Sequence, residues 1–202
     1  PPFHARIVDA VAYVRHIESP SVRVLHVYRT YFPDTQGGLE EAIRQICHGT
    51  SPLGVQNRVF TISRNADQTW VERPEAEVFR SPFSFEIASC SVSMRALRTF
   101  RQHVRWADLV HYHFPWPFAD VLAITAGGIR PSVLTYHSDI VRQTILKLFY
   151  APLMHHFLGS MDRIVCTSPN YFATSDVLTR YADKVNIIPI GIDETTYPVC
   201  TP

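Results

Sequence analysis

The 202-residue chain has almost no net charge. Its 19 basic and 18 acidic side chains leave a formal charge of +1, so no global field draws it to nucleic acid, and electrostatic partners must be met locally. It is also poor in paired cysteines: Cys47, Cys90, Cys166 and Cys200 are scattered without the short spacings of a zinc site. They fall in or beside apolar segments, as the buried reduced thiols of a cytosolic protein do. No run reaches the ~18 apolar residues that would span a bilayer, and no basic stretch with an apolar core opens the chain. A membrane would be met at its surface. Internal repeats and low-complexity tracts are missing. So is the Gly-x-Gly-x-x-Gly pattern, which speaks against a dinucleotide cofactor.

What is present is a core and a rhythm. With 46% hydrophobic and 18% charged residues, the chain can bury one sizeable domain. The apolar run Val22 to Val27, a polar loop with Pro33, Gly37 and Gly38, and the pattern Leu39, Ile43, Ile46, Cys47 read as strand, glycine turn and helix. Further strands are expected at Arg58 to Ile62, Glu77 to Phe79, Leu109 to His113, Ser132 to Tyr136, Arg163 to Thr167 and Val185 to Ile190. Helical patterns cover Ser91 to Val104, Phe118 to Ala126, Ile140 to Leu158 and Asn170 to Tyr181, while Ser63 to Pro74 reads as loop. Short apolar runs alternating with helices predict an α/β, doubly wound, Rossmann-like and mainly parallel sheet of about seven strands. The domain is expected over 21–194, between an extension at 1–20 and a short proline-containing linker at 195–202.

In such a sheet, ligands bind outside the carboxyl ends of the strands. Gly37 and Gly38 could bring backbone N–H groups and a helix dipole to an anion, or could serve only as a tight turn. His111-Tyr-His-Phe-Pro-Trp-Pro-Phe118 places His113, Trp116 and Phe118 at the next loop, where aromatic faces could grip a sugar or simply pack the turn. His111 and His113 share a strand face, but without a third ligand nearby no metal is expected. His137, followed by Ser138 and Asp139, puts an imidazole among short polar groups at the sheet edge and is the strongest single candidate. Ser168 before Pro169 reads as a helix cap.

Five pieces in register carry a resemblance. Tyr31-Phe-Pro-Asp-Thr-Gln-Gly-Gly-Leu-Glu40, Asp108-Leu-Val-His-Tyr-His113, Leu134-Thr-Tyr-His-Ser138, Asp162-Arg-Ile-Val-Cys-Thr-Ser168 and Asn186-Ile-Ile-Pro-Ile-Gly-Ile-Asp193, together with the strand before them, resemble the N-terminal half of family 4 retaining glycosyltransferases, one half of a GT-B fold. Within that family the chain is most similar to bacterial mannosyl- and rhamnosyltransferases of O-antigen and exopolysaccharide assembly.

The resemblance implies a nucleotide-diphosphate sugar as donor, GDP-mannose among the candidates, no metal and no resident cofactor. It implies Gly37 and Gly38 against the donor diphosphate, His137 as the catalytic-site histidine near the transferred sugar, and His113, Trp116, Phe118, Ser138 and Asp139 on the acceptor side. Attack from the front face, with the leaving phosphate taking the acceptor proton, requires no protein nucleophile, and these loops offer none with a positioned base. Where the family often has Pro-Asn-Gly, this chain has Pro189-Ile190-Gly191. After Glu86 the only glutamate is Glu194, so the paired glutamates of the family's C-terminal donor-binding domain are absent, and the fragment is expected to be inactive alone. A half of a GT-B nucleotide-sugar epimerase and a non-catalytic glycan- or nucleotide-binding module are the competing readings.

Arg95, Arg98, Arg101 and Arg105 recur at helical spacing as one basic stripe. Met94, Leu97 and Val104 would face the sheet. The acceptors of the resembled enzymes are commonly polyprenyl-linked, so the stripe could hold a cytoplasmic enzyme peripherally on the anionic inner face of the plasma membrane, or could be an ordinary solvated face.

Overall fold

The structure, a computed structural model, describes residues 21–65, 67–139 and 144–193. The expected extension at 1–20 and linker at 195–202, with Glu194 and Cys200, lie outside the described residues. In chain order the strands are β1 (Val22–Val27), β2 (Val55–Ser63), β3 (Trp70–Glu72), β4 (Glu77–Pro82), β5 (Phe85–Ile87), β6 (Cys90–Val92), β7 (Leu109–Phe114), β8 (Ser132–Tyr136), β9 (Arg163–Cys166) and β10 (Val185–Ile187). The helices are α1 (Gly38–Thr50), α2 (Met94–Trp106), α3 (Pro117–Ala126), α4 (Thr144–Ser160) and α5 (Pro169–Thr174).

One eight-stranded sheet runs β10-β9-β8-β7-β1-β2-β4-β3. All its neighbours pair in parallel except β3, which runs antiparallel along the edge of β4. The doubly wound α/β sheet is thus observed, with one antiparallel edge strand inside the segment expected to be loop. A second departure is the hairpin β5/β6, which occupies the start of the helix expected from Ser91. That helix begins at Met94, where the Ser93 side chain accepts the Ala96 N–H as a cap. The helix expected over Asn170 to Tyr181 breaks at Ser175, whose Oγ accepts the Leu178 N–H and opens a separate 3-10 turn.

The core follows the two faces of the sheet. Leu25, Val27, Phe60, Phe100, Leu122, Leu134 and Phe157 fill the face covered by α2, α3 and α4. Ile43, Cys47, Val59 and Val78 fill the opposite face beneath α1. Each such side chain contributes on the order of 1.5–3 kcal/mol on leaving water. Cys47 and Cys166 are buried free thiols, and Cys90 is a half-buried one. At the amino edge, Asp108 receives the Arg23 backbone N–H at 3.0 Å and its guanidinium at 2.9 Å. Asp162 receives the Ser132 N–H at 2.8 Å. The aspartate preceding β7 and the one preceding β9 therefore each tie down the start of a neighbouring strand. Connections leave β1 toward β2 in one direction and β7 toward β8 in the other, with α1 and α3 on opposite faces. The resulting crevice lies between β1 and β7 at the carboxyl edge.

Candidate functional site

Strands buried on both faces are ordinarily apolar throughout. Here the face under α1 carries His26 of β1 and His111 and His113 of β7, all buried. His26 and His111 are register partners, and the two-residue period returns His113 to the same face. His26 Nδ1 lies 3.2 Å from His113 Nε2, and His113 Nδ1 lies 3.2 Å from His137 Nε2. In both pairs the ring centroids are 5.5 Å apart. The difference is about two ring radii, so the facing nitrogens lie along the line between the rings, as in-plane hydrogen bonds require. At the inner end, His26 Nε2 meets Asn57 Oδ1 of β2 at 3.2 Å. A row of side chains therefore runs from β2 across β1 and β7 to the loop after β8.

Burial sets the charge of this row. It pushes the imidazoles of His26 and His137 down to about 4 and those of His111 and His113 well below the usual histidine range, so all are neutral at pH 7. His111 stands beside the row, with its Nε2 at 2.7 Å from Thr135 Oγ1 and its ring 4.3 Å from that of His113. One ring nitrogen each from His26, His111 and His113 lie within 4.8 Å of one another, which is the third neighbour missing from the sequence reading of that pair. Each of these histidines also has a hydrogen-bond partner in the protein.

The glycine turn lies in the neighbouring loop. Gly37 is the N-cap of α1 in extended backbone and provides no side-chain cap. The first N–H groups of this 13-residue helix can therefore serve an anion. A side-chain carbon at Gly37 would lie 2.7 Å from Glu40 Oε2, whereas Gly38 faces open space. Glu40 accepts the hydroxyls of Thr30 and Thr35 at 2.8 Å each. Tyr31 Oη donates to Glu75 at 3.1 Å, and the buried Arg80 of β4 reaches Asp34 at 3.1 Å through Nε and Ser63 at 2.9 Å. The loop is thus pinned from three sides, by α1, by the turn before β4 and by β4 itself.

Across the crevice, Asp139 accepts Tyr136 Oη at 2.7 Å, Tyr171 Oη at 2.8 Å and Ser175 Oγ at 3.3 Å. Its carboxylate is committed to holding the loop that carries His137 and the exposed Ser138. Trp116 and Phe118 are 1% and 5% exposed, and Trp116 Nε1 donates to the Ser91 carbonyl at 3.2 Å. Their rings pack the turn after β7 and present no face to a ligand, which corrects the gripping alternative. His113 is buried as well and reaches the edge only through His137. The structure therefore brings Gly37, Gly38, His137 and Ser138 to one edge and leaves His113, Trp116, Phe118 and Asp139 as the frame behind it. His26, Asn57 and Arg80 were missed by the sequence reading, and the signal that could have found them is a polar residue at an inward position of an apolar strand.

The profile of Glycosyltransferase Family 4 matches residues 36–196. The D-rhamnosyltransferase WbpZ of Pseudomonas aeruginosa is 45% identical over 177 residues, covering 88% of this chain and 46% of that protein. The O-antigen chain mannosyltransferase C of Escherichia coli is 44% identical over 173 residues, covering 86% and 47%. The chain thus spans about half the length of the curated relatives it matches. Among solved structures, sucrose-phosphate synthase of Thermosynechococcus elongatus superposes with a TM-score of 0.62 at 16% identity, covering 88% of this chain and 50% of that one. Anabaena HepE in complex with UDP and glucose superposes at 0.57 and 16% identity, covering 85% and 45%.

Proposed function

Because this chain belongs to glycosyltransferase family 4, we propose that it is the acceptor-side half of a retaining hexosyltransferase that extends a lipid-linked glycan from a nucleotide-diphosphate sugar. What supports the reading is that an uncapped helix N-terminus at Gly37 and Gly38 and a neutral histidine, His137, follow strands on either side of the β7–β1 switch point at the carboxyl edge of the sheet. The first suits a diphosphate and the second a sugar hydroxyl. Both curated relatives carry transferase names and act, by those names, with mannose or rhamnose. This sets the reading above an epimerase half or a binding module, and makes GDP-mannose the first donor to try.

In this reading the α1 N–H groups hold the donor phosphates, His137 contacts the transferred sugar, and the acceptor enters over Ser138 and the loop framed by Trp116, Phe118 and Asp139. The leaving diphosphate takes the acceptor proton, so the reaction calls for neither metal nor resident cofactor. The donor base is read by a second Rossmann-like half outside these 202 residues. The four arginines of α2 face an anionic membrane that presents the acceptor. No described helix is long and apolar enough to cross a membrane.

The test is sugar transfer measured with the 202-residue chain and with a version carrying the second half. The chain alone is expected to show none, since one wall of a cleft cannot preorganise the reaction. His137→Ala in the longer protein is expected to lose at least tenfold in kcat/KM, about 1.4 kcal/mol of transition-state stabilisation. Full activity of that variant would remove His137 from the site.

A further inference from the structure

A neutral imidazole carries one N–H and one lone pair, so a hydrogen bond between two such rings has a direction. The row from Asn57 to His137 has an end that sets it. Asn57 Nδ2 lies 3.0 Å from the Cys47 carbonyl, a group that can only accept. It also lies 3.1 Å from Thr50 Oγ1 and 3.2 Å from Ser51 Oγ. Those hydroxyls give their own protons to the Ile46 and Cys47 carbonyls, at 2.8 Å each. Three acceptors around one nitrogen orient the amide. They lie in the last turn of α1 and just beyond it, at the negative end of the helix dipole, where the Cys47 carbonyl also accepts the Ser51 backbone N–H.

With the amide oriented, the rest follows bond by bond. Asn57 Oδ1 can only accept, so His26 must donate from Nε2 and keep its lone pair on Nδ1. His113 must then donate from Nε2 to His26 and accept at Nδ1. His137 must donate from Nε2 to His113. Its Nδ1 retains a lone pair, and no described residue hydrogen-bonds to it. We infer that Asn57, His26 and His113 form a one-way hydrogen-bond relay, anchored on the Cys47 carbonyl, that holds His137 in its Nε2–H tautomer and turns its Nδ1 into a dedicated acceptor. The relay makes Asn57, His26 and His113 positioning residues, and the C-terminus of α1 decides what a side chain across three strands can bind. Resting on the function proposed above, this means that His137 accepts a hydrogen bond from a hydroxyl of the bound sugar, which keeps its proton, and offers nothing to a phosphate oxygen, which has no proton to donate at neutral pH. His111 takes no part, because its hydroxyl partner Thr135 can both donate and accept.

The experiment is nitrogen–nitrogen scalar coupling across the N–H···N bonds, read by NMR on the histidine-labelled, nitrogen-15 chain at pH 7. Two couplings are expected, His113 Nε2–H to His26 Nδ1 and His137 Nε2–H to His113 Nδ1, with ring N–H protons slow enough in exchange to be seen. Coupling of the reverse polarity overturns the relay, as does the absence of coupling in the folded chain. Stoichiometric zinc uptake that abolishes the His26 and His113 ring protons also overturns it, and makes the cluster a metal site. Asn57→Leu, which removes the anchor while leaving the rings, is expected to give mixed or inverted tautomers at His137. In the longer protein it should lower kcat by roughly tenfold or more, on the scale seen when the partner that orients a metal-ligating histidine is lost. Unchanged tautomers in Asn57→Leu would show that the anchor sets nothing. If the wild-type couplings have the expected polarity while His137→Ala retains full transfer, the relay stands and the proposed role of His137 in transfer falls.

Discussion

Arg80 shows how one side chain can hold a ligand loop in shape. It comes from β4, is buried, and joins Asp34 of the glycine loop to Ser63 and to the carbonyls of Asn65 and Gln68. Breaking a buried ion pair costs about 3–5 kcal/mol, because the surviving partner keeps its desolvation penalty. Asp34 retains 18% exposure of its side chain, so it can turn toward water and the lower end applies. Arg80→Met is therefore expected to destabilise the chain by about 3 kcal/mol, read as a lower urea midpoint at unchanged slope. Adding Asp34→Asn to that variant should cost little more, since the two share one interaction. A midpoint that does not move on Arg80→Met would mean that the loop is held by Glu40 and Glu75 alone.

Among the elements, α2 departs furthest from its expected orientation. Met94 was expected to face the sheet but is 48% exposed, while Ala96, Phe100, His103 and Val104 point inward. The hydrophobic pattern misleads because His103 supplies an inward aromatic face, 4.1 Å from the ring of Phe79. The hairpin was missed for a related reason, since Ile87, Cys90 and Val92 fit a helical period as readily as an alternating one. The long strands were legible as apolar runs, and His137 as an imidazole at a strand end. His26 and Asn57 were not, because a bond between residues 31 apart leaves no local pattern. Arg95, Arg98, Arg101 and Arg105 are all exposed, as the stripe requires, and none has an acidic partner among the described residues. Exposed Phe85 and Ile87 on the hairpin, with Met94, place apolar side chains beside that charge. Such a surface gains about 1 kcal/mol per basic residue at an anionic lipid surface. The chain is expected to co-sediment with phosphatidylserine vesicles but not neutral ones, less so in high salt, and to be released by Arg95→Glu, Arg98→Glu and Arg101→Glu together. Equal partition into both vesicle types, or none into either, would leave the stripe as solvated surface.

Taken together, the buried histidines make the stability of the fold depend on pH with a definite sign. An unfolded chain titrates its histidines near 6.5, whereas burial holds His26 and His103 at about 4 in the folded protein. Above about 6.5 both states are neutral at these groups, and their contribution is complete and flat. As the pH falls, the unfolded chain takes up protons that the folded chain refuses. Each such histidine then costs about 1.4 kcal/mol per pH unit, until its folded pKa is reached. His26 and His103 alone forfeit on the order of 3 kcal/mol each between 6.5 and 4, against a total stability of about 5–15 kcal/mol for a domain. His111, His113 and His137 push in the same direction. Asp120 opposes them: burial raises its carboxyl well above the usual range, so it takes up a proton on folding and favours the native state as the pH falls. One carboxyl does not offset that many imidazoles. The urea midpoint is therefore expected to stay level from pH 8 to 7 and to drop steeply below 6.5, with the chain largely unfolded near pH 4. His103→Phe, which removes an imidazole outside the relay whose Nδ1 has no hydrogen-bond partner, should shallow that slope by about one proton's worth. A midpoint unchanged between pH 7.5 and 5 would mean that these rings are charged in the folded state, and the neutral row from Asn57 to His137 would fall with it.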